Sequence, residues 1–368
     1  MAGLQDQLRA SFALAKASLT ATLRSPTSVV FSLLFPVIFI VVFGSMVDNT
    51  VVQLKIALAP GCDTANVIYK TITSIKNITI DRSLSSLDAT NALQKRRLTA
   101  IVDIKKDTVN SQPGHFNIVI TSSASSANEA MLLRTLLKNA IASINEHVFP
   151  ANASVASLST KELPGRIYRQ IDFILPGQLG FSLLASGVFG VAFMFFNLRN
   201  TLVLKRFFAT PISKTYIVLG EMFSRVIFQM LTAVVIILLG YYAFDFTLVH
   251  GLKTFFDMMV LSFIGLVVFM GFGFIVSGLA KNDSTIPPFA NLITLPQFLI
   301  GGTFFSISVF PVWLQWIARI MPLTHLNTAL REVAFEGKGL WDVKTEIGIL
   351  LLWGIITYAI AVKVFKWE

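Results

Sequence analysis

The sequence predicts an α-helical polytopic membrane protein with six spanning helices, both termini in the cytoplasm, and an inserted extracytoplasmic α/β domain. Three observations predict this fold class. Of the 368 residues 54% are hydrophobic and 14% are charged, whereas soluble domains carry about 45–50% and about 25%. The apolar residues are concentrated in long uncharged stretches, and basic residues gather on one side of them. These observations exclude an ordinary soluble enzyme and a disordered chain.

The residues before the first uncharged stretch, 1–26, show the pattern of an amphipathic helix. Apolar side chains recur every three or four residues, and polar or basic side chains fall elsewhere around the helix. We expect a cytoplasmic interfacial helix on the inner leaflet. Packing against a partner protein is an equal alternative. The apolar positions are Leu4, Leu8, Phe12, Ala15, Leu19 and Leu23.

Six stretches contain no Asp, Glu, Lys or Arg and approach or exceed the roughly 20 residues that cross a hydrocarbon core as a helix. The first, assigned to residues 27–47, is preceded by too many mixed residues for a cleaved signal peptide, so we expect it to remain as a membrane anchor. The stretches are Thr27–Val47, Phe173–Asn197, Val226–Phe244, Met258–Ala280, Pro288–Phe310 and Ile347–Val362.

The segment Asp48–Asp172 separates the first two stretches and holds 14 of the 30 Lys and Arg residues and 10 of the 20 Asp and Glu residues. It is long enough for a small core of its own. Strand patterns at 51–59, 78–81, 98–104 and 115–121 alternate with helical patterns at 63–75, 83–97 and 125–148. We therefore predict an α/β domain at 48–172, with an Ala- and Ser-rich connector over 145–161 that returns to the membrane.

The net charge of +10 has two possible explanations, nucleic-acid binding and membrane orientation. Basic residues precede the first span, fill the connection between the second and third, and follow the fourth and sixth. All of these places lie on one side if six spans alternate, and that side is cytoplasmic by the positive-inside rule. The charge therefore predicts topology and no nucleic-acid partner, with 48–172 outside and 173–368 carrying the five remaining spans.

Motifs for enzymatic chemistry are missing from the sequence. It has no G-x-x-x-x-G-K-[ST] phosphate loop, no H-E-x-x-H and no G-x-S-x-G, and its one cysteine, Cys62, excludes an intrachain disulfide. The four histidines are scattered singly, so no metal site is expected. Glu221 and Arg225 lie four residues apart near the inner end of the third span, where we expect a structural pair. No carboxylate lies at the centre of a span, which disfavours an ion-coupled carrier.

Three blocks of sequence together resemble the permease subunits of ABC type-2 exporters, in the branch with a large external domain after the first span. The first block is the element order, with the external domain opening on the strand 52–60. The second is Lys205-Arg-Phe-Phe-Ala-Thr-Pro-Ile-Ser213. The third runs from Pro296-Gln-Phe-Leu-Ile-Gly-Gly-Thr303 through Phe310-Pro-Val-Trp313 to Met321-Pro-Leu-Thr-His-Leu-Asn-Thr-Ala-Leu-Arg331. The sequence departs from the family in having Gly301-Gly302 where Ser-Gly is common and no acidic residue before Thr210.

The resemblance implies a coupling loop at 198–216 that contacts a separate cytoplasmic ABC ATPase. In that loop Pro211 restricts the backbone and Ser213 can cap the next helix. Positive-inside anchoring explains its basic residues equally well. The candidate coupling residues are Lys205, Arg206, Thr210, Pro211 and Ser213. ATP and Mg belong to the partner, and we expect this chain to bind no cofactor.

Two further regions are candidate sites. A broken fifth span is tolerated in lipid only against protein or a cavity, so its polar and small residues are expected to line a conduit at a dimer interface; tight helix packing is the alternative. The conduit candidates are Asn291, Pro296, Gln297, Gly301, Gly302 and Thr303. An outer re-entrant helix region is predicted at 306–345, or simple aromatic anchoring, with candidates Pro311, Trp313, Pro322 and Arg331.

The leading hypothesis is the membrane-spanning permease subunit of an ATP-driven exporter for a hydrophobic or amphipathic compound such as a drug, a lipid or an envelope component. Its expected partners are the ATPase, a second permease copy or homologue, membrane lipid, and a periplasmic adaptor or outer-membrane channel docked on the external domain. The expected location is the plasma membrane or bacterial inner membrane. The alternative is a membrane-anchored receptor or scaffold whose external domain binds an envelope ligand without transport.

Overall fold

The chain divides into two compact units in the computed structural model. One is formed by Met1–Met46 together with Arg169–Glu368, and the other by Val47–Tyr168. The structure describes residues 4–24, 26–44, 54–75, 78–81, 86–94, 97–106, 116–123, 126–148, 156–163, 168–200 and 213–364.

The Val47–Tyr168 unit is built on a five-stranded sheet with the order β2-β1-β3-β4-β5. Strand β4 is antiparallel to β3, and the other neighbours are parallel. Alternate strand residues such as Ile56, Val102 and Ile120 are fully buried and pack with Leu133 and Leu137 of helix α5. The elements are β1 Leu54–Leu58, α3 Val67–Ser74, β2 Ile78–Asp81, α4 Ser86–Gln94, β3 Ala100–Lys106, β4 Phe116–Ser123, α5 Ala127–Val148 and β5 Ala156–Leu163.

Strand β5 corrects the prediction of a connector over 145–161. It pairs in parallel with β4 from Phe116 opposite Ala156 to Ser123 opposite Leu163. The Ser- and Lys-containing strand lacks the apolar alternation that identifies a strand in sequence. It pairs because the unpaired backbone groups of β4 provide hydrogen-bond partners whatever side chains the fifth strand carries.

The other unit is helical. Its long helix from Gln170 to Asn200 is interrupted by one turn of π-helix, Ser186–Gly190, which we call the π-turn. A second π-helical segment, Glu332–Glu336, follows α12, and short 3₁₀ turns lie at Asp283–Thr285 and Ile307–Val309. The helices are α1 Leu4–Leu23, α2 Pro26–Gly44, α6 Gln170–Ala185, α7 Val191–Asn200, α8 Lys214–Phe244, α9 Leu252–Leu279, α10 Ile286–Ile300, α11 Val312–Ile320, α12 Pro322–Arg331 and α13 Lys344–Val364.

Four helical segments among the described residues are long and apolar enough to cross a membrane: Gln170–Leu198, Thr215–Phe244, Leu252–Leu279 and Lys344–Val364. The chain is therefore a polytopic, mostly helical membrane protein. The first predicted span corresponds to the 19-residue α2. The fifth predicted span, Pro288–Phe310, is broken at Gly301-Gly302 as predicted: α10 stops at Ile300, and the 15-residue helix is followed by a bend and a 3₁₀ turn.

Contacts between the long helices fix their relative directions. Gly271 lies against Thr357, and Gly278 lies against Val364, so α9 and α13 run parallel. The α6–α7 helix is parallel to α9, since Gly187 packs on Phe269 and Gly273 packs on Val191. Helix α8 is antiparallel to α6.

Contacts at three heights along α8 show that it runs antiparallel to α6. Gly240 meets Leu175, the Gln229 side chain donates to Ser182 Oγ at 3.1 Å, and Arg225 reaches the π-turn. The chain between the parallel helices α9 and α13 must therefore return from the end of α9 to the level at which α9 began.

Helix α1 packs along the first half of α8. Ser18 Oγ donates to Glu221 Oε2 at 2.7 Å, the Ser213 N–H donates to Gln7 Oε1 at 3.4 Å, and the ring of Phe12 lies 6.3 Å from that of Phe223. Ala15 is buried. The amphipathic pattern of α1 thus has an intramolecular explanation, since its small and hydroxyl side chains face α8.

Candidate functional site

The candidate site begins where α10 breaks. Gly301 ends the helix, and its N–H donates to the Gln297 carbonyl at 2.8 Å. Gly302 then adopts φ +73°, in the left-handed region where side chains with a Cβ are strained. Both glycines and Thr303 are buried. The chain therefore leaves the helix inside the protein, where its freed carbonyls need donors.

Arg331 supplies those donors. It is the last residue of α12, and its guanidinium Nη2 donates to Gly302 O at 2.5 Å and to Phe173 O at 2.9 Å, while Nε donates to Phe173 O at 3.1 Å. The guanidinium carbon also lies 3.6 Å from the centre of the Phe173 ring, in cation–π contact. One side chain thus joins the start of α6, the break after α10 and the end of α12. We call this arrangement the Arg331 junction.

Asn327, one turn earlier on α12, binds the other side of the same break. Its Nδ2 donates to Gly301 O at 3.0 Å, and its Oδ1 lies directly against Gly180 of α6. A Cβ on Gly177 would lie 2.9 Å from Thr303 Cα and 3.0 Å from Arg331 Nη2. The close approach of these segments therefore requires residues without side chains at both positions of α6.

Gln297 connects α10 to the start of α12. Its Nε2 donates to Ile293 O at 3.2 Å within the helix, and its Oε1 accepts from the Leu323 N–H at 3.3 Å. This bond satisfies one of the free amides at the N-terminus of α12, which begins with Pro322. Three side chains, Gln297, Asn327 and Arg331, therefore hold α10, its break and α12 together.

An aromatic cluster lies on α2, α6 and the region of the break. Phe181 and Phe298 have ring centroids 3.9 Å apart, and Phe39 lies 5.2 Å from Phe304 and 6.2 Å from Phe298. Phe35 contacts the rings of Phe39, Phe181 and Phe298. Such a surface can bind apolar or aromatic compounds and has no group that would transfer protons.

Charged groups lie at the start of α6, close to Phe173. Arg169 pairs with Asp245 at 3.1 Å, and both side chains are exposed. Asp172 is fully buried, and its carboxylate accepts from the Thr247 N–H at 2.8 Å and from the Arg169 N–H at 3.0 Å. These bonds connect the start of α6 to the loop that follows α8.

The structure separates the predicted conduit residues. Gln297, Gly301, Gly302 and Thr303 meet at the break, whereas Asn291 and Pro296 lie on an exposed face of α10. That face also carries the exposed side chains Leu292, Leu295 and Leu299. The buried group packs within the chain.

The predicted outer residues also divide. Arg331 forms the Arg331 junction and Pro322 is buried at the start of α12, while Pro311 and Trp313 are exposed. Helix α11 exposes an apolar face beside Arg319, whose guanidinium lies 5.8 Å from the Trp316 ring centre. The exposed side chains of α11 are Val312, Trp313, Trp316, Ile317 and Ile320.

Most of the predicted coupling residues, Lys205, Arg206, Thr210 and Pro211, lie outside the described residues. Ser213 is described, and it stands at the N-cap of α8 with extended backbone and without the predicted side-chain cap bond. Its N–H instead contacts Gln7 of α1.

Three residues of the junction, Gly177, Gly180 and Asn327, are missing from the sequence prediction. The two glycines are three residues apart in an otherwise apolar stretch, a spacing that places both on one helix face and permits close packing. Asn327 lies inside the Met321–Arg331 block quoted above. Small residues in a span and a polar residue in an apolar helix are the signals that could have located them.

The predicted pair of Glu221 and Arg225 is not a close ion pair. Glu221 accepts a hydrogen bond from Ser18 of α1, and no ion pair within 4.0 Å joins it to Arg225 in the part of the chain that the structure describes. The four-residue spacing brings the two side chains to one side of α8, but the hydroxyl on α1 binds the carboxylate.

Comparison with known proteins identifies the family. A family profile described as "ABC-2 family transporter protein" matches residues 26–363, which include the α10 break and the whole Arg331 junction. This chain belongs to the ABC-2 transporter family. Its members are transmembrane permease subunits that normally work with a separate ABC ATPase, so the permease is not itself an ATPase.

Three relatives show how far the likeness extends. The linearmycin resistance permease protein LnrN of Bacillus subtilis (strain 168) is 19% identical over 379 residues, covering 95% of this chain and 97% of that protein. The probable multidrug ABC transporter permease YbhR of Escherichia coli (strain K12) is 21% identical over 281 residues, 76% of this chain and 75% of that protein. ABC transporter G family member 20 of Dictyostelium discoideum is 25% identical over 195 residues, 52% of this chain, which spans about a quarter (26%) of that relative's length.

Within the described residues the permease has no group of three or more His, Cys, Asp or Glu side chains that could hold a metal ion. The junction contains one permanent cation, two amides and backbone carbonyls. This arrangement can fix helix ends relative to one another and can change by exchanging hydrogen bonds. It is suited to a structural or gating role in a permease.

Proposed function

We propose that this protein is the membrane-spanning permease subunit of an ATP-driven ABC exporter that moves a hydrophobic or amphipathic compound out of the cytoplasm or the inner leaflet. The match to the ABC-2 family over residues 26–363 carries the proposal. The names of the relatives LnrN and YbhR, a linearmycin resistance and a probable multidrug permease, support a drug-like or lipid-like substrate. The exposed Phe35 and its aromatic neighbours offer a surface for such a compound.

The proposed topology has six crossings with both termini in the cytoplasm. The parallel direction of α9 and α13 supports it, because the chain between them must return across the membrane. Helix α10 spans about 22 Å at 1.5 Å per residue, so the bend after Gly301 completes the return. In this topology the 48–172 domain is extracytoplasmic, and the protein lies in a plasma membrane or bacterial inner membrane.

The α11–α12 pair is proposed to be a re-entrant hairpin on the outer side. Arg331, at the end of α12, meets Phe173 near the start of α6, while Leu326 meets Gly265 at the middle of α9. Trp353, midway along α13, donates to Ile320 O at 2.9 Å, where α11 ends. These contacts support a hairpin whose tip reaches the middle of the spans, with the Arg331 junction closing its outer end.

The proposed partners are a separate cytoplasmic ABC ATPase that contacts residues 198–216 and a second permease copy or homologue. An adaptor docked on the external domain is a further proposed partner. The deciding experiment is co-purification with the ATPase and ATP turnover that depends on this subunit. Pro211→Ala is expected to uncouple ATP turnover from transport while the chain still inserts and folds.

The control for this experiment is Gly348→Ala, since no atom lies within 4 Å of the Cβ that this change adds. A purified chain that binds an envelope ligand through residues 48–172, with no associated ATPase and no transport, would support the receptor hypothesis and contradict the exporter.

A further inference from the structure

Gln178 of α6 carries a buried amide without a hydrogen-bond partner. The side chain is fully buried, and neither Nε2 nor Oε1 makes a hydrogen bond in the part of the chain that the structure describes. It lies about 12 Å along the spanning segment that begins at Gln170, at 1.5 Å per residue. Burying an amide without partners costs free energy, so most buried polar groups in proteins are bonded. The present conformation is therefore unfavourable at this side chain.

Other unpartnered polar atoms lie beside α6. Thr303, after the α10 break, is fully buried, and its hydroxyl makes no hydrogen bond among the described residues. A Cβ on Gly177 would lie 2.9 Å from Thr303 Cα, so this threonine packs directly on α6. At the contact with α8, Gln229 donates from Nε2 to Ser182, while its Oε1 is unpartnered. The packing of α6 against its neighbours thus leaves several buried polar atoms unmatched.

The backbone of α6 has two places where the helix can bend. Pro176 has no N–H, so α6 lacks the hydrogen bond that this position would donate to the Asp172 carbonyl. The helix ends in the π-turn, and prolines and π-helical turns are the usual sites of kinks in long helices. The segment 177–185, which begins beside Gln178, is therefore joined to the rest of its helix through two weakened points.

The Arg331 junction opposes the unfavourable burial of Gln178. Arg331 Nη2 donates to Phe173 O at 2.9 Å, and Asn327 Oδ1 lies against Gly180, so the junction holds α6 both before and after Gln178. The bonds of a charged donor are stronger than those between neutral groups. A helix that has favourable bonds on one face and unmatched polar atoms on another can have two packings of similar free energy.

We propose that α6 is a two-state element, which the Arg331 junction holds in the present conformation and the unmatched amide of Gln178 drives toward a second one. In the second conformation the segment 177–185 turns about Pro176 and the π-turn, and the amide reaches hydrogen-bonding groups that it does not reach here. The role in transport rests on the proposed function, in which the exporter passes through both conformations and Gln178 sets their balance. The two conformations themselves do not depend on the ATPase.

Gln178→Met tests this balance, because methionine is an unbranched side chain of similar length that lacks the amide. The full chain is purified without an ATPase, and hydrogen exchange of the backbone amides in 170–185 is measured by mass spectrometry, together with thermal unfolding. We expect exchange to slow about tenfold, because removal of an unmatched amide stabilises the present conformation alone. For the same reason the midpoint of unfolding should rise by about 2–4 °C.

Gln297→Met is the matched control. This glutamine is also buried, but it is bonded through both Nε2 and Oε1. The same change should therefore lower the midpoint and accelerate exchange. Thr303→Val removes the unpartnered hydroxyl and keeps the branched shape, so it should raise the midpoint as Gln178→Met does. Thr303→Val decides the question if Gln178→Met fails to fold.

Three results would overturn the two-state proposal: a lower midpoint for a folded Gln178→Met chain, a lower midpoint for Thr303→Val, or unchanged exchange in 170–185. A lower midpoint would mean that these groups are bonded, for instance by buried water. In the complex with the ATPase, ATP turnover of Gln178→Met should fall about tenfold although the chain is more stable. Unchanged turnover would overturn the role in transport. Failure of the exporter hypothesis would leave the exchange and unfolding results as they are.

Discussion

At the scale of single residues, Arg331 determines the geometry of the junction. Three hydrogen bonds and a cation–π contact join it to the carbonyls and ring of two other segments. A carbonyl freed by a broken helix is satisfied most strongly by a charged donor, and arginine can reach two at once through its planar fork. Arg331 is therefore the residue on which the α10 break depends.

Replacing Arg331 tests this dependence. Arg331→Gln should lower the free energy of unfolding by about 2–4 kcal/mol, because buried carbonyls of Phe173 and Gly302 lose a charged donor. Thermal unfolding in detergent measures the loss, and transport is expected to fall with it. Arg319→Gln, an exposed arginine, serves as control. An Arg331→Gln chain as stable as the unmodified protein would show that the junction is not supported by this side chain.

Cys62 gives a pH-dependent prediction. Burial raises the pKa of its thiol, and the nearby carboxylates of Asp103 and Asp63 act in the same direction. Because the thiolate is the reactive form, alkylation by iodoacetamide should reach half its maximal rate at a higher pH in the folded chain than in urea. The midpoint pH reports the pKa of the thiol. The access of the reagent to the sulfur changes only the maximal rate. Identical midpoints would contradict the prediction.

At the scale of elements, the break after α10 depends on a turn that only glycine adopts easily. A left-handed conformation disfavours residues with a Cβ by about 1–2 kcal/mol, and Gly302 has φ +73°. The adjacent carbonyls are then free to meet Arg331 and Asn327. Helix α1, in contrast, needs no residue with a left-handed backbone, because its hydroxyl and small side chains are sufficient to place it against α8.

Gly302→Ala tests the break directly. We expect destabilisation of about 1–2 kcal/mol from the left-handed backbone, measured as a lower midpoint of thermal unfolding. Gly348→Ala is the matched control, because that helical glycine has open space around it and alanine favours a helix. The control should be neutral or slightly stabilising. If both variants behaved alike, the strain at Gly302 would not govern this element.

At the scale of the whole molecule, the proposed topology makes Cys62 a natural reporter of the outside domain. It is the only cysteine in the sequence and is partly exposed. A membrane-impermeant maleimide should therefore label it in intact cells. Cys62→Ser combined with Ser213→Cys moves the reporter to the exposed start of α8, which should be labelled only after permeabilisation. Labelling of Ser213→Cys in intact cells would reverse the topology.

The fold could be predicted from sequence where a whole helix or strand follows one regular pattern of apolar residues. The apolar stretches at 173–197, 226–244, 258–280 and 347–362 overlap the four helices able to cross a membrane, because burial in lipid demands uniform hydrophobicity. Strands β1 to β4 overlap the predicted strands for a similar reason, since a sheet face must alternate. The end of α10 was predicted from Gly301-Gly302, whereas strand β5 forms because β4 offers its backbone groups, and its own sequence carries no periodic signal.

The candidate site was predictable only in part. Gln297, Gly301, Gly302, Thr303 and Arg331 were predicted as site residues, but Asn327 was not. Helix α6 was predicted as a plain span although Gly177 and Gly180 form one wall of the junction. Conversely, Asn291 and Pro296 were predicted as conduit residues close to this block, and both lie exposed. Sequence proximity does not decide which helix face is buried.

The sequence by itself determined that this protein lies in a membrane and belongs with ABC-2 permeases, because uncharged stretches and a family pattern are local properties of the chain. Only the tertiary structure decided that the guanidinium of Arg331 closes the α10 break and that Asn327 binds the other side of it. Hydrogen bonding depends on atoms brought within about 3 Å across long separations in sequence. That placement exists only after the helices have packed.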